Sequence, residues 1–243
     1  MKICIVNFSD IKFEKGQNRL IESIINNNFK GDVITYNSFE QVGSKSHLEV
    51  PYQFKVYAIE KARQMGYEVV LYCDASLYAI KDIQPCIDYI INNGYLLEKN
   101  SGNAGRYSTD LCLNEFNLSR DLAMKIQLHS AGFTGLNFKN EIASKFFNIW
   151  LNYAIEEKTF IGDWNNNNNQ CSNDSRCLGH RHDQSVSSII SFNLNMNRIN
   201  PTFMQYEFNS SNGLEYASID DNINVSLSSN KNDSTIFICN GIC

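Results

Sequence analysis

Short apolar runs alternate with stripes of helical spacing through the first half of the chain. Residues 3–6 read as a buried strand, and Leu20, Ile21, Ile24 and Ile25 then share one face of a helix. Residues 33–36 predict a second strand. Phe54, Ala58, Ile59, Ala62 and Met65 line a second helix, which Gly66 ends. Residues 69–73 are apolar throughout and run directly into Asp74. Ile83, Cys86, Ile87, Ile90 and Ile91 define the next helix, and Gly94 separates it from a strand over 95–98. This alternation predicts a layered α/β domain around a mixed, mainly parallel sheet.

The second half has a different character. Residues 100–108 form a Gly/Asn/Ser loop, followed by short helical patterns around Leu111 and over 118–126. Residues 132–138 predict a strand, and Ile142, Phe146, Ile149, Trp150 and Tyr153 stripe a long helix. Residues 162–177 are almost all polar; a stretch of that length without structure inside a compact domain acts as a lid or is disordered. Val186, Ile189 and Ile190 begin another helix. From residue 209 the chain is rich in Asn and Ser, with one strand over 235–239. The expected organisation is a domain over 1–208 with a C-terminal extension, 209–243, packed on it.

Composition narrows the classes. At 243 residues, 43% of them hydrophobic, the chain can bury one sizeable core. A net charge of −5 with no Lys/Arg cluster argues against a nucleic-acid or anionic-membrane surface, though a small anionic ligand remains compatible. No apolar run is long enough for a membrane helix, and the N-terminal apolar stretch is too short for a signal peptide, so a cytoplasmic protein is expected. In that compartment the eight cysteines read as thiols, with Cys4, Cys73, Cys112 and Cys239 in the core. The 33 asparagines, including a run over 165–169, fit an AT-rich genome such as those of some viruses.

Ligands of open α/β sheets bind beyond the carboxyl ends of the strands, which is where Asp74-Ala75-Ser76 falls. Asp74 can be a turn-capping residue or a ligand for ribose or metal. The stretch from Tyr52 to Ile59, the helix, the glycine and then residues 69–76 resemble the nucleotide-binding half of GT-A glycosyltransferases. Gly132-Phe133-Thr134-Gly135-Leu136-Asn137 is similar to the strand that frames donor sugar and acceptor in those enzymes, and His180-Arg181-His182-Asp183-Gln184-Ser185 to their late helix-opening motif. Compact viral enzymes share the pattern, among them the first domain of a chlorovirus multidomain glycosyltransferase.

The resemblance implies a GT-A-like fold and a nucleotide-sugar donor, UDP before GDP, with a carbohydrate acceptor. It implies Mn2+ or Mg2+ held by Asp74 and Ser76 with His180 or His182. Where the family has a second Asp, this chain has Ser76, which reaches a hard cation only through its hydroxyl or a water. Phe8, Ser9 and Asp10 are expected at the base and ribose, Ala75 at the diphosphate, and Gly135 on the framing strand.

Each remaining candidate has two readings. Lys55 and Arg106 are cations for the diphosphate or solvated surface residues. Asp183 is the carboxylate that takes a proton from the acceptor hydroxyl, or the N-cap of its helix. Cys171, Cys177, His180 and His182 could instead surround a structural zinc, although their spacing matches no common zinc pattern. Two rival functions remain: a nucleotidyltransferase, disfavoured because residues 7–12 lack glycine, and a degenerate, non-catalytic nucleotide- or carbohydrate-binding module.

Overall fold

The computed structural model describes residues 1–220 and 224–240. Parts of the expected extension, 221–223 and 241–243 with Cys243, lie outside the described residues. In chain order the elements are β1 (Ile3–Phe8), α1 (Glu14–Asn26), β2 (Asp32–Tyr36), α2 (Phe39–Val42), α3 (Gln53–Gln64), β3 (Val69–Cys73), β4 (Leu77–Ala79), α4 (Gln84–Asn93) and β5 (Tyr95–Asn103). They continue with α5 (Asp110–Glu115), α6 (Arg120–Ala123), β6 (Gln127–Asn137), α7 (Glu141–Glu156), α8 (His182–Asn193), β7 (Met204–Ser210), β8 (Gly213–Ile219), β9 (Val225–Ser228) and β10 (Phe237–Cys239).

The central sheet runs β2-β1-β3-β6-β5. It is mixed, as expected, but parallel pairing is confined to β1 with its neighbours β2 and β3, so it makes up half of the sheet; β6 runs antiparallel to both β3 and β5. Successive side chains of a strand point to opposite faces, and the central strands feed two cores accordingly. Cys4, Val6, Val70 and Tyr72 join one with Ile59, Phe146, Trp150 and Val186, under α3, α7 and α8. Ile5, Val69, Leu71 and Cys73 join the other with Leu20, Ile24, Ile87 and Ile90, under α1 and α4.

A second sheet, β4-β10-β7-β8-β9, closes this latter face, with Phe203, Met204 and Phe237 entering the core. The segment after residue 209 therefore carries β8, β9 and β10 and the end of β7, where one strand was expected, and the boundary at 208 falls inside β7. Glu98 ties the two sheets together. Its buried carboxylate accepts the main-chain N–H groups of Thr202 (3.0 Å), Phe203 (2.6 Å) and Met204 (3.2 Å). Burial pushes the Glu98 carboxyl up to about 8, against the pull of those three donors.

Candidate functional site

Three side chains from three elements meet where β3 ends. Asp74 follows the strand, Lys55 lies in the first turn of α3, and Asp183 opens α8. The Lys55 ammonium is 3.0 Å from Asp74 Oδ2 and 3.3 Å from Asp183 Oδ2. Lys55 and Asp183 are 5% and 4% exposed, so this is a dry pairing, whereas Asp74, at 33%, faces the cleft. Burial works against charge on Lys55, but Asp183 and then Asp74 outweigh it and hold the ammonium above its ordinary range. Burial raises the Asp183 carboxyl to about 6, partly offset by Lys55.

The surroundings fix this geometry. Tyr52, left-handed at φ 61°, begins α3 and lays its ring 4.7 Å from the Lys55 ammonium. His182 is also left-handed, at φ 44°, and turns the chain into α8. Such backbone costs ~1–3 kcal/mol per residue and persists where packing enforces it; both residues are packed, with rings 5.5 Å apart. Asp183 lies inside the first turn, and α8 has no side-chain cap, so the N-cap reading does not hold. Behind Asp74, Asn37 donates to Gln17, Gln17 to Asn7, and Asn7 to the Cys73 carbonyl, a relay of amides that pins the end of β3.

Two cavities open on either side of the Asp74–Lys55 pair. The larger, about 500 Å³, is lined by Phe8, Phe39, His47, Tyr52 and Phe54, with Ser9, Asp10, Ala75 and Ser76 at its polar edge. Phe8 and Phe54 stack there with centroids 4.2 Å apart. The smaller, about 170 Å³, is lined by Asp183, Gln184, Arg181, Trp164, Ser130 and Tyr206, among others. Tyr52, Lys55, Asp74 and Ser76 border both.

Phe8, Ser9, Asp10, Lys55, Asp74, Ala75, Ser76 and Asp183 are thus brought together around one cleft. Others are placed elsewhere. Gly135 sits in the core, where an added β-carbon would come 2.4 Å from Ile90 Cδ1, and it lines neither cavity. Arg106 borders neither cavity; its carbonyl accepts Leu178 N at 2.7 Å. Cys239, expected in the core, is half-buried in the wall of the smaller cavity, with its Sγ 3.3 Å from Ser76 Oγ.

The metal-binding set implied by the resemblance does not fit. His180 is fully buried and donates from Nε2 to the Thr159 carbonyl at 2.8 Å; His182 donates from Nδ1 to the Phe160 carbonyl at 2.9 Å. Burial lowers their pKa values to about 3 and about 4 and so keeps both rings neutral, but neither ring lines either cavity. Asp74 is already paired with an ammonium. Among the described residues no group of three or more His, Cys, Asp or Glu side chains could hold a metal ion. The zinc alternative meets the same finding, and the two thiols have separate partners: Cys171 donates to the Asp163 carbonyl and Cys177 to that of Ser108.

The polar segment over 162–177 is folded rather than structureless. Its centre is Asn166, whose Nδ2 donates to the carbonyls of Ser172 and Cys177 while Oδ1 accepts the N–H groups of Cys171 and Ser172. The asparagine run supplies left-handed backbone at Asn168 and Asn169, a conformation that asparagine tolerates. The loop delivers Trp164, half exposed, to the cavity rim, where the Arg181 guanidinium lies 3.8 Å from its ring centroid. Sequence reasoning missed Tyr52, Trp164, Arg181, Gln184 and Tyr206 as cleft residues. The only local signal was that Arg181 and Gln184 flank Asp183.

The apo structure of the bifunctional glycosyltransferase WbbM superposes with a TM-score of 0.50 at 13% identity, covering 84% of this chain and 40% of that one. The fold is GT-A. The present chain therefore spans less than half the length of WbbM. Mouse xyloside xylosyltransferase 1 also matches, at TM-score 0.48 and 10% identity, covering 85% of this chain and 88% of that one. The galactosyltransferase LgtC, solved with donor and acceptor sugar analogues, matches at TM-score 0.45 and 10% identity, with 84% and 76% covered. No family model matches the sequence, and no curated protein matches it. No helix among the described residues is long and apolar enough to cross a membrane.

Proposed function

We propose that this GT-A chain is a glycosyltransferase that moves a sugar from a nucleotide-diphosphate donor, a UDP-sugar ahead of a GDP-sugar, to a hydroxyl of a carbohydrate acceptor. The observation that carries this is the pair of unlike cavities sharing one charged wall. The aromatic one suits a nucleoside, with Phe8 and Phe54 at the base and Ser9 and Asp10 at the ribose. The polar one suits a sugar beside an acceptor hydroxyl. Their junction, at Lys55, Asp74 and Ser76, is where the diphosphate would lie. A departing nucleoside diphosphate gains negative charge, and a fixed ammonium in a dry site stabilises it without reorganising.

Asp183 is the residue placed to act on the acceptor. A carboxylate with its pKa near the working pH is the better proton acceptor, and burial supplies that shift. Gln184 lies beside it, its Nε2 donating to the His129 carbonyl at 2.9 Å, so its amide is held at the cavity wall. A viral source and a cytoplasmic location rest on the asparagine bias and the sequence resemblance.

The deciding experiment is release of nucleoside diphosphate from a panel of UDP- and GDP-sugars, with and without glycan acceptors. Turnover that Asp74→Asn lowers by about 10²-fold or more establishes the reading. Tight UDP binding with no turnover on any donor would favour the binding-module alternative, which Ser76 in place of a second carboxylate motivates.

A further inference from the structure

The ion that would ordinarily be sought in this cleft has a competitor already built into the chain. Lys55 Nζ is within 3.0 Å of Asp74 and 3.3 Å of Asp183, and its ammonium also lies 4.7 Å from the Tyr52 ring centroid and 5.7 Å from that of Tyr72. Two carboxylates and two aromatic faces thus enclose one ammonium on the first turn of a helix that is packed into the core. Lys55 lies behind the cleft-facing Asp74 and holds its Oδ2 at 3.0 Å, so a divalent ion at that carboxylate would have to share it with a fixed positive charge.

Of the other donors expected at a metal, His180 and His182 line neither cavity. Ser76 Oγ is engaged with Cys239 Sγ, and the ring nitrogens of His180 and His182 that make hydrogen bonds point to main-chain carbonyls. Arg181 adds a second cation to the smaller cavity.

We infer that Lys55 is the resident cation of the cleft, paired with Asp74 at the wall the two cavities share, where a divalent ion would otherwise bind, so that nucleotide binding needs no added metal. This rests on the nucleotide-sugar reading for its ligand, but the place of the cation can be tested without it. The same geometry has a second consequence. Removing the ammonium leaves Asp74 and Asp183 facing a shared gap with nothing to neutralise them, and paired carboxylates are a site for hard cations.

The test is an Mn2+ titration read by the electron paramagnetic resonance signal of the free aquo ion, on wild type and Lys55→Ala, each with and without UDP and with UDP alone as control. Wild type is expected to remove no more Mn2+ than UDP itself removes. Lys55→Ala is expected to bind Mn2+ at least about tenfold more tightly than wild type. Wild-type thermal shifts with UDP should agree in EDTA and in MnCl2. One equivalent of Mn2+ bound by wild type, with or without UDP, overturns the inference, and so does a folded Lys55→Ala protein that binds Mn2+ no better than wild type. If the alanine variant does not fold, Lys55→Gln keeps the side-chain stem and takes its place, and the wild-type titration still decides. Failure of the nucleotide-sugar reading would show differently, as no UDP shift in either buffer, while the titrations without UDP keep their meaning.

Discussion

Gly132 and Asp74 face each other across the antiparallel β3–β6 ladder so closely that a β-carbon on Gly132 would lie 2.2 Å from Asp74 Oδ2. The Asp74 N–H also donates to the Gly132 carbonyl at 2.8 Å. The missing side chain is therefore what gives the carboxylate room to turn toward Lys55. Gly132→Ala should displace Asp74 and lower donor turnover by a factor approaching that of Asp74→Asn, about 10². Gly135→Ala is the contrast. It overpacks the core against Ile90 and should lower stability by ~1–3 kcal/mol while leaving the cleft charges in place. Equal turnover in wild type and a folded Gly132→Ala protein would show that Asp74 does not need its present position.

Asp183 gives a pH signature with a definite sign. Its carboxyl is raised from 3.8 to about 6, chiefly by burial. Between those values the folded protein holds a proton that the unfolded chain has lost, so this residue's contribution to stability falls as pH rises through the window and is constant above it. Activity runs the other way, rising through an apparent pKa near 6 as the carboxylate forms. Asp183→Asn should remove both effects. A pH–rate profile of wild type with no rising limb between pH 5 and 7 would count against Asp183 as the proton acceptor.

Asn166 holds the loop over 162–177 with both ends of one amide. Asn166→Ala leaves four main-chain groups without that partner and should destabilise the loop by ~1–3 kcal/mol. Limited proteolysis is the readout: cutting within 163–177 should rise in the variant, and UDP should suppress it in wild type if Trp164 closes over the bound donor. A cleavage pattern unchanged by the substitution would place the loop's stability elsewhere.

Phe54 tests the aromatic cavity. Phe54→Leu keeps an apolar side chain but removes the ring that stacks on Phe8. If a nucleobase occupies this cavity, the affinity for UDP should weaken by ~1–3 kcal/mol, as for other base–aromatic contacts, measured by calorimetry. Unchanged affinity would move the base away from Phe8 and Phe54.

The physics that made parts of this molecule legible in sequence also explains what was hidden. Residues 69–73 could be read because five apolar residues ending in a carboxylate describe a buried strand that delivers a charge to its mouth. Asp183 could be read only through the resemblance of residues 180–185 to a late helix-opening motif, since the local pattern before Val186 and Ile189 suggested an N-cap that the structure does not have. Tyr52, Trp164 and Tyr206 could not, since each reaches the cleft from a different part of the chain and no local pattern records the convergence. β7 carries the apolar–polar alternation of a half-exposed antiparallel strand, but the Asn- and Ser-rich composition around it, β8 and β9 reads as loop. The two glycines of β6 looked alike in sequence. Only the neighbour opposite each one, a carboxylate for Gly132 and Ile90 for Gly135, tells an opening in the cleft from a fit in the core.

The joint made by Glu98 has an implication for how such a chain can diverge. It grips the main chain of residues 202–204, so this grip depends on their N–H groups and only proline removes a rung, while Phe203 and Met204 are held to apolar residues by the core they fill. Met204 and Tyr206 are in the wall of the smaller cavity, just past this grip. Descendants of one ancestor could therefore exchange cavity-wall side chains such as Tyr206 while the seam between the sheets stays closed, changing what the cavity admits without first losing the fold.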